Sequence, residues 1–110
     1  MSRDPDLCLD DITDAVDNIL EYTSGISYDD FISNRMCIDA VIKNLLVIGE
    51  AVKKIPEDLK SKHPSVDWRN IAGLRDVLIH AYYRIDDDIL WNIVRNKLED
   101  LRAEVMKMSG

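Results

Sequence analysis

Cysteine is scarce in these 110 residues: Cys8 and Cys37 stand 29 positions apart with no neighbouring ligand at metal-site spacing. That excludes a disulfide framework and a cysteine-built zinc centre, and both thiols read as small hydrophobes in packed helix faces. Histidine is equally sparse. His63 precedes Pro64 in a polar turn and His80 has no partner at ligand spacing, so no metal and no cofactor is expected. No apolar run approaches the roughly 20 residues that cross a bilayer, and Met1-Ser2-Arg3-Asp4-Pro5-Asp6 lacks the basic-then-apolar plan of a secretory signal. A cytoplasmic protein is expected, with its thiols reduced. No segment alternates with period two between hairpin turns, which removes β architectures, and there is no internal repeat. Basic residues are the minority, 14 Lys and Arg against 21 Asp and Glu, for a formal charge of −7. Broad, sequence-independent nucleic-acid binding works by counterion release and is excluded by that balance. A local phosphate pocket is not.

What is present is helical periodicity. Apolar residues make up 46% of the chain and charged residues 32%, suited to one globular domain over 1–110. Asp4-Pro5 is a helix start, and Leu9, Ile12, Ala15, Val16, Ile19 and Leu20 form one stripe that ends at Thr23-Ser24-Gly25. A longer helix is expected from Ser27 or Tyr28 through Ile55. Its Leu45-Leu46-Val47-Ile48-Gly49 run is apolar on more than one side, so this helix is central in a bundle or also faces a partner. Glu50 beside it is a solvated charge or a buried partner for an arginine. Pro56 stops the helix and opens a short one ending near Lys60 and Lys62. Val66-Asp67-Trp68-Arg69-Asn70-Ile71 reads as a helical turn capped by Asp67, and Gly73 is expected to bend the chain before a helix over 74–81. Asp86-Asp87-Asp88 are acids suited to the start of a last helix carrying Ile89, Leu90, Ile93, Val94, Leu98, Leu101 and Val105. The predicted fold is all-α: an antiparallel four-helix bundle with one or two extra short helices.

The most chemically capable stretch is Arg75-Asp76-Val77-Leu78-Ile79-His80-Ala81-Tyr82-Tyr83. Arginine can hold a phosphate with a planar fork of donors, histidine exchanges a proton near neutral pH, and tyrosine offers a modifiable hydroxyl. Five residues separate Arg75 from His80, which on a continuous helix is about 140° of rotation and roughly 7.5 Å of rise. One chain does not make them a tight pair, whereas two copies across a two-fold axis can present two arginines and two histidines to a shared cleft. The residues alone leave a structural role open beside the catalytic one.

Arg75, four intervening residues, His80, Ala81 and Tyr82 resemble the arginine, four spacers, histidine, one spacer, tyrosine signature of HepT-type toxins, a branch of the HEPN helical ribonuclease superfamily. Asp4-Pro5, Tyr22-Thr23-Ser24-Gly25, Asp39-Ala40-Val41, Ile48-Gly49-Glu50-Ala51, Pro64, Trp68, Ile71-Ala72-Gly73, Asp86 and Trp91 extend the resemblance, collinearly, over nearly the whole chain. The resemblance implies a homodimer with a composite, metal-independent ribonuclease site, Arg75 and His80 as catalytic residues, 2′,3′-cyclic phosphate products, and an RNA substrate such as tRNA or mRNA. It also implies a partner, an MntA-like minimal nucleotidyltransferase antitoxin, that places AMP on Tyr82. The sequence departs from the pattern twice. Asp76 stands where these proteins more often have Asn, a supporting position from which a carboxylate would pair with Arg75 or orient His80. Lys43 stands where relatives often have Arg, replacing a bidentate contact with a point charge. A catalytically weak helical module that binds a nucleotidyltransferase is the alternative.

Overall fold

The apolar spacing of the first twenty residues becomes helix α1, Pro5–Tyr22, which buries Cys8, Leu9, Ile12, Ala15, Val16 and Ile19 and turns its aspartates outward. This computed structural model describes residues 5–80 and 87–108, with the side chains at 5, 74–77, 79 and 80 outside that description. Asp4, Ala81, Tyr82, Tyr83 and Asp86 therefore lie outside the described residues. The stop after α1 is built as expected. Thr23 donates its hydroxyl to the Ile19 carbonyl at 2.8 Å, and Gly25 takes the left-handed backbone, φ +73°, that only glycine adopts cheaply.

The single helix expected over 27–55 is two. Helix α2 is Tyr28–Ile32 and α3 is Arg35–Lys53. Short polar side chains compete for the backbone between them. Ser33 bonds back to the carbonyls of Asp29 and Asp30, and Asn34 accepts from the Cys37 N–H at 3.1 Å as the cap of α3. The apolar rhythm survives the break, because Phe31 before it and Ile38 after it are both buried. Helix α3 is the central element. It packs against α1, α2 and the later α5, Trp68–His80, and buries Ile38, Val41, Ile42, Leu45, Ile48 and Val52. Gly49 and Ala51 are buried on it as well, while Leu46 is half-buried and Val47 exposed, so most of its apolar second half serves the protein's own core. One polar pair crosses the α1–α3 contact: buried Asn44 accepts from Asn18 at 3.2 Å and donates to the Ala40 carbonyl at 2.8 Å.

Pro56 caps the short α4, Glu57–Ser61. The connector that follows is fixed by the Trp68 indole, whose N–H lies 3.2 Å from the Lys60 carbonyl and 3.0 Å from the His63 carbonyl. Asp67 caps α5 through the Asn70 N–H at 3.3 Å. Gly73 does not divide the chain there. Helix α5 runs through it unbroken, since a helix-interior glycine costs only about 1 kcal/mol relative to alanine and has no conformational need to break. The expected closing helix is also two, α6 Asp87–Asn96 and α7 Leu98–Met108. Hydrogen bonds from Lys97 N to Ile93 O and from Leu101 N to Lys97 O carry through the joint, making it a bend without a cap. The bend serves two burial directions, with α6 packing on α2 and α7 on α1. Asp87 and Asp88 occupy the first turn of α6, as the charge run predicts.

Among the described residues the fold is all-α, seven helices and no strand, around one contiguous apolar core. No helix among them is long and apolar enough to cross a membrane. Both cysteines are buried free thiols, and burial pushes the Cys37 thiol up. Truncating Ile48→Ala removes side-chain volume from the middle of α3 and is expected to cost about 2–5 kcal/mol, against about 1 kcal/mol for Asn34→Ala at the α3 cap. Urea unfolding midpoints at unchanged slope are the measurement, and equal costs would contradict α3 as the central packing element.

Candidate active site on the fifth helix

Arg75, Asp76 and His80 belong to one helix. Because α5 is continuous from Trp68 to His80, the sequence separation converts directly into about 7.5 Å of rise between the positions of Arg75 and His80. Their side chains lie outside the described residues, as does Tyr82, and the structure describes instead what holds the helix that bears them. Leu78 is buried against the core, and Trp68, Ile71 and Ala72 pack at its edge, so α5 is seated on α3 along its length. Lys43 on α3 is exposed. Glu50, also on α3, is half-buried with one carboxylate oxygen enclosed, which places it between the solvated and the buried readings.

Helix α6 is anchored by an aromatic cluster. Trp91 of α6 lies 6.0 Å from the Tyr28 ring, edge on, and 5.1 Å from Phe31, with the Arg95 guanidinium 4.3 Å above its own ring. Arg95 also donates to the carbonyls of Thr23, at 3.1 Å, and Ile26, at 2.6 Å, satisfying the end of α1. The Tyr28 hydroxyl bonds to Asp88 at the start of α6. These contacts tie α6 to the α1–α2 turn and fix where the chain must arrive after leaving α5.

His63 is structural in its contacts. Its Nδ1 lies 3.2 Å from Glu104 Oε2 on α7, and Lys107 lies 3.2 Å from the other Glu104 oxygen. Hydrogen bonding from His63, and then from Lys107, holds the Glu104 carboxyl below the usual carboxylate range. No group of three His, Cys, Asp or Glu residues placed to hold a metal occurs among the described residues. Sequence reasoning passed over a groove of about 870 Å³ between α4 and the start of α5, lined by Lys60, Ser61, Trp68 and Arg69 among others. Its signal was available as a local charge reversal: residues 53–69 hold five Lys and Arg against three acids within a chain of net −7.

A helical domain with an arginine–histidine pair on the helix leading into a tyrosine-bearing connector defines a class, and the comparisons give its family. The profile of the ribonuclease HepT-like family matches residues 12–108, and the chain belongs to that family. Similar proteins include "Probable ribonuclease HepT" of Thermococcus cleftensis, 41% identical over 100 residues that cover 91% of each chain. "Putative RNase MJ1380" of Methanocaldococcus jannaschii is 41% identical over 103 residues, 94% of each chain. "Putative RNase TTE0752" of Caldanaerobacter subterraneus is 34% identical over 100 residues, 91% of this chain and 89% of that one. No solved structure matches.

Because the Glu104 carboxyl titrates lower in the folded than in the unfolded chain, its contribution to stability is present above the unfolded carboxylate pKa and is lost as pH falls through the folded one. An NMR pH titration should find Glu104 titrating below the other surface glutamates. His63→Gln should move it back up toward them, and an unmoved midpoint would contradict the His63 contact.

Proposed function

We propose that this chain is the toxin of a toxin–antitoxin pair, a metal-independent RNA endonuclease that acts as a homodimer through a site composed from both copies. The observation that carries the reading is the family match over 12–108, which contains Arg75, Asp76, His80 and Tyr82 in one span. The continuity of α5 supports the two-chain arrangement, since positions about 140° apart on one helix serve one phosphate most simply when a second copy completes the set.

The chemistry follows from the side chains. His80 of one protomer takes the proton from a ribose 2′-hydroxyl, the 2′-oxygen attacks the adjacent phosphorus, and the bond to the 5′-oxygen breaks. The symmetry-related His80 protonates that leaving oxygen, giving a 2′,3′-cyclic phosphate and a free 5′-hydroxyl. A histidine near its unperturbed pKa of roughly 6.5 serves as either base or acid. Arg75 holds the phosphate as negative charge grows on its oxygens. Asp76 is a positioning residue, orienting His80 or pairing with Arg75. The natural partner is a minimal nucleotidyltransferase antitoxin that transfers AMP from ATP to the Tyr82 hydroxyl, the phenolic oxygen bonding the α-phosphorus as pyrophosphate leaves. Two residues from His80, the added nucleotide blocks an RNA cleft by volume and charge.

Purified protein incubated with tRNA or mRNA in EDTA is expected to cleave. His80→Ala and Arg75→Ala should each lower the rate by about 10²–10⁴ while the fold is retained. Absence of cleavage by the wild-type protein free of its partner would favour a binding module instead. Mass spectrometry after coexpression with the nucleotidyltransferase should find one adenylate on Tyr82, and its persistence on Tyr82→Phe would remove that assignment.

A further inference from the structure

The α4–α5 groove holds an unusual lysine. Lys60 is nine-tenths buried, and among the described residues its polar contact is a single 3.5 Å approach to Glu57, whose side chain is itself 91% exposed. A solvated carboxylate at that distance is a weak partner. Beside it stand exposed Arg69 and the ring of Trp68, held in place by its two indole hydrogen bonds. Two acids line the groove as well: Asp67, which caps α5 and bonds Asn70, and Glu57, whose side chain extends into solvent. The groove thus sets two cations, a fixed aromatic and serine hydroxyls beside the carboxylates of Glu57 and Asp67, in a stretch where basic residues outnumber acids.

Its place on α5 gives it a use. Arg69 precedes His80 by eleven residues on one unbroken helix, which is about three turns, roughly 16 Å of rise, and a return to within about 20° of the same angular position. A stacked single strand advances about 3.4 Å per nucleotide, so the two positions are about five nucleotides apart along a strand lying on this helix. We propose that the α4–α5 groove is a subsite for single-stranded RNA, holding a backbone phosphate with Arg69 and Lys60 about five nucleotides from the scissile bond, with Trp68 as the surface on which a base rests. This subsite rests on the ribonuclease reading and adds to it how an acidic protein retains an anionic strand: by two basic side chains of one groove in line with the proposed reactive positions of α5.

The test measures binding of fluorescently labelled, 2′-O-methylated RNA to the full-length protein, using a dinucleotide and a decanucleotide, at several salt concentrations. The wild-type protein should bind the longer strand more tightly. Arg69→Ala, at an exposed position that leaves the core untouched, should weaken the decanucleotide about five- to tenfold and reduce its logarithmic salt slope by about 0.7, the share of one phosphate contact on a single strand. Dinucleotide affinity should be unchanged. Lys60→Met, which keeps the buried stem, should act in the same direction. An Arg69→Ala protein that binds both lengths like wild type, while wild type cleaves RNA, overturns the subsite and leaves the ribonuclease reading standing. A wild-type protein that neither binds nor cleaves RNA overturns both. Loss of affinity for an acidic protein partner, with RNA binding intact, also overturns the subsite.

Discussion

The rest of this structure depends on the burial of one helix on more than one side. Helix α3 contributes ten buried residues, with α1 against it on one part of its surface and α5 on another. An amphipathic helix with a single apolar stripe can lie on a surface, but one this apolar must be surrounded. The Leu45-to-Val52 stretch therefore dictates that two other helices be brought to it, and α5, the helix with the candidate residues Arg75 and His80, is one of them. Removing a single branched side chain from such a position leaves a cavity that both neighbours feel.

Position on α5 is then fixed from its two ends by different means. At the start, the Trp68 indole spends its N–H on the carbonyls of Lys60 and His63, so the helix cannot slide relative to α4 without giving up those bonds. Beyond the far end, the Tyr28–Phe31–Trp91–Arg95 cluster holds α6 against the α1–α2 turn. A helix held at its start in this way is the kind of support that the proposed acid–base chemistry on a phosphate requires.

The helical class, the start of α1, the Gly25 stop, the Asp67 cap and the central place of α3 could all be read from spacing, because each rests on a local rule with a residue to mark it. The breaks were missed for a physical reason. At Ser33-Asn34 and at Lys97 the apolar rhythm continues across the joint, with buried apolar residues on both sides of it, and periodicity cannot report an interruption that keeps its phase. At Gly73 the error ran the other way, a residue that permits a bend being read as one that requires it. The candidate residues Arg75, His80 and Tyr82 came from motif and resemblance. The α4–α5 groove escaped notice because its parts, Lys60, Trp68 and Arg69, each have an ordinary structural reading until the fold sets them side by side.

The central claim is that two copies share one reactive site on paired α5 helices, and subunit mixing tests it most directly. Wild-type protein is unfolded and refolded together with increasing proportions of His80→Ala protein, so that protomers reassort at random, and RNA cleavage is measured at constant total concentration. If one site draws a histidine from each chain, activity falls as the square of the wild-type fraction. A linear fall would mean that each chain carries a complete site, and would contradict the account.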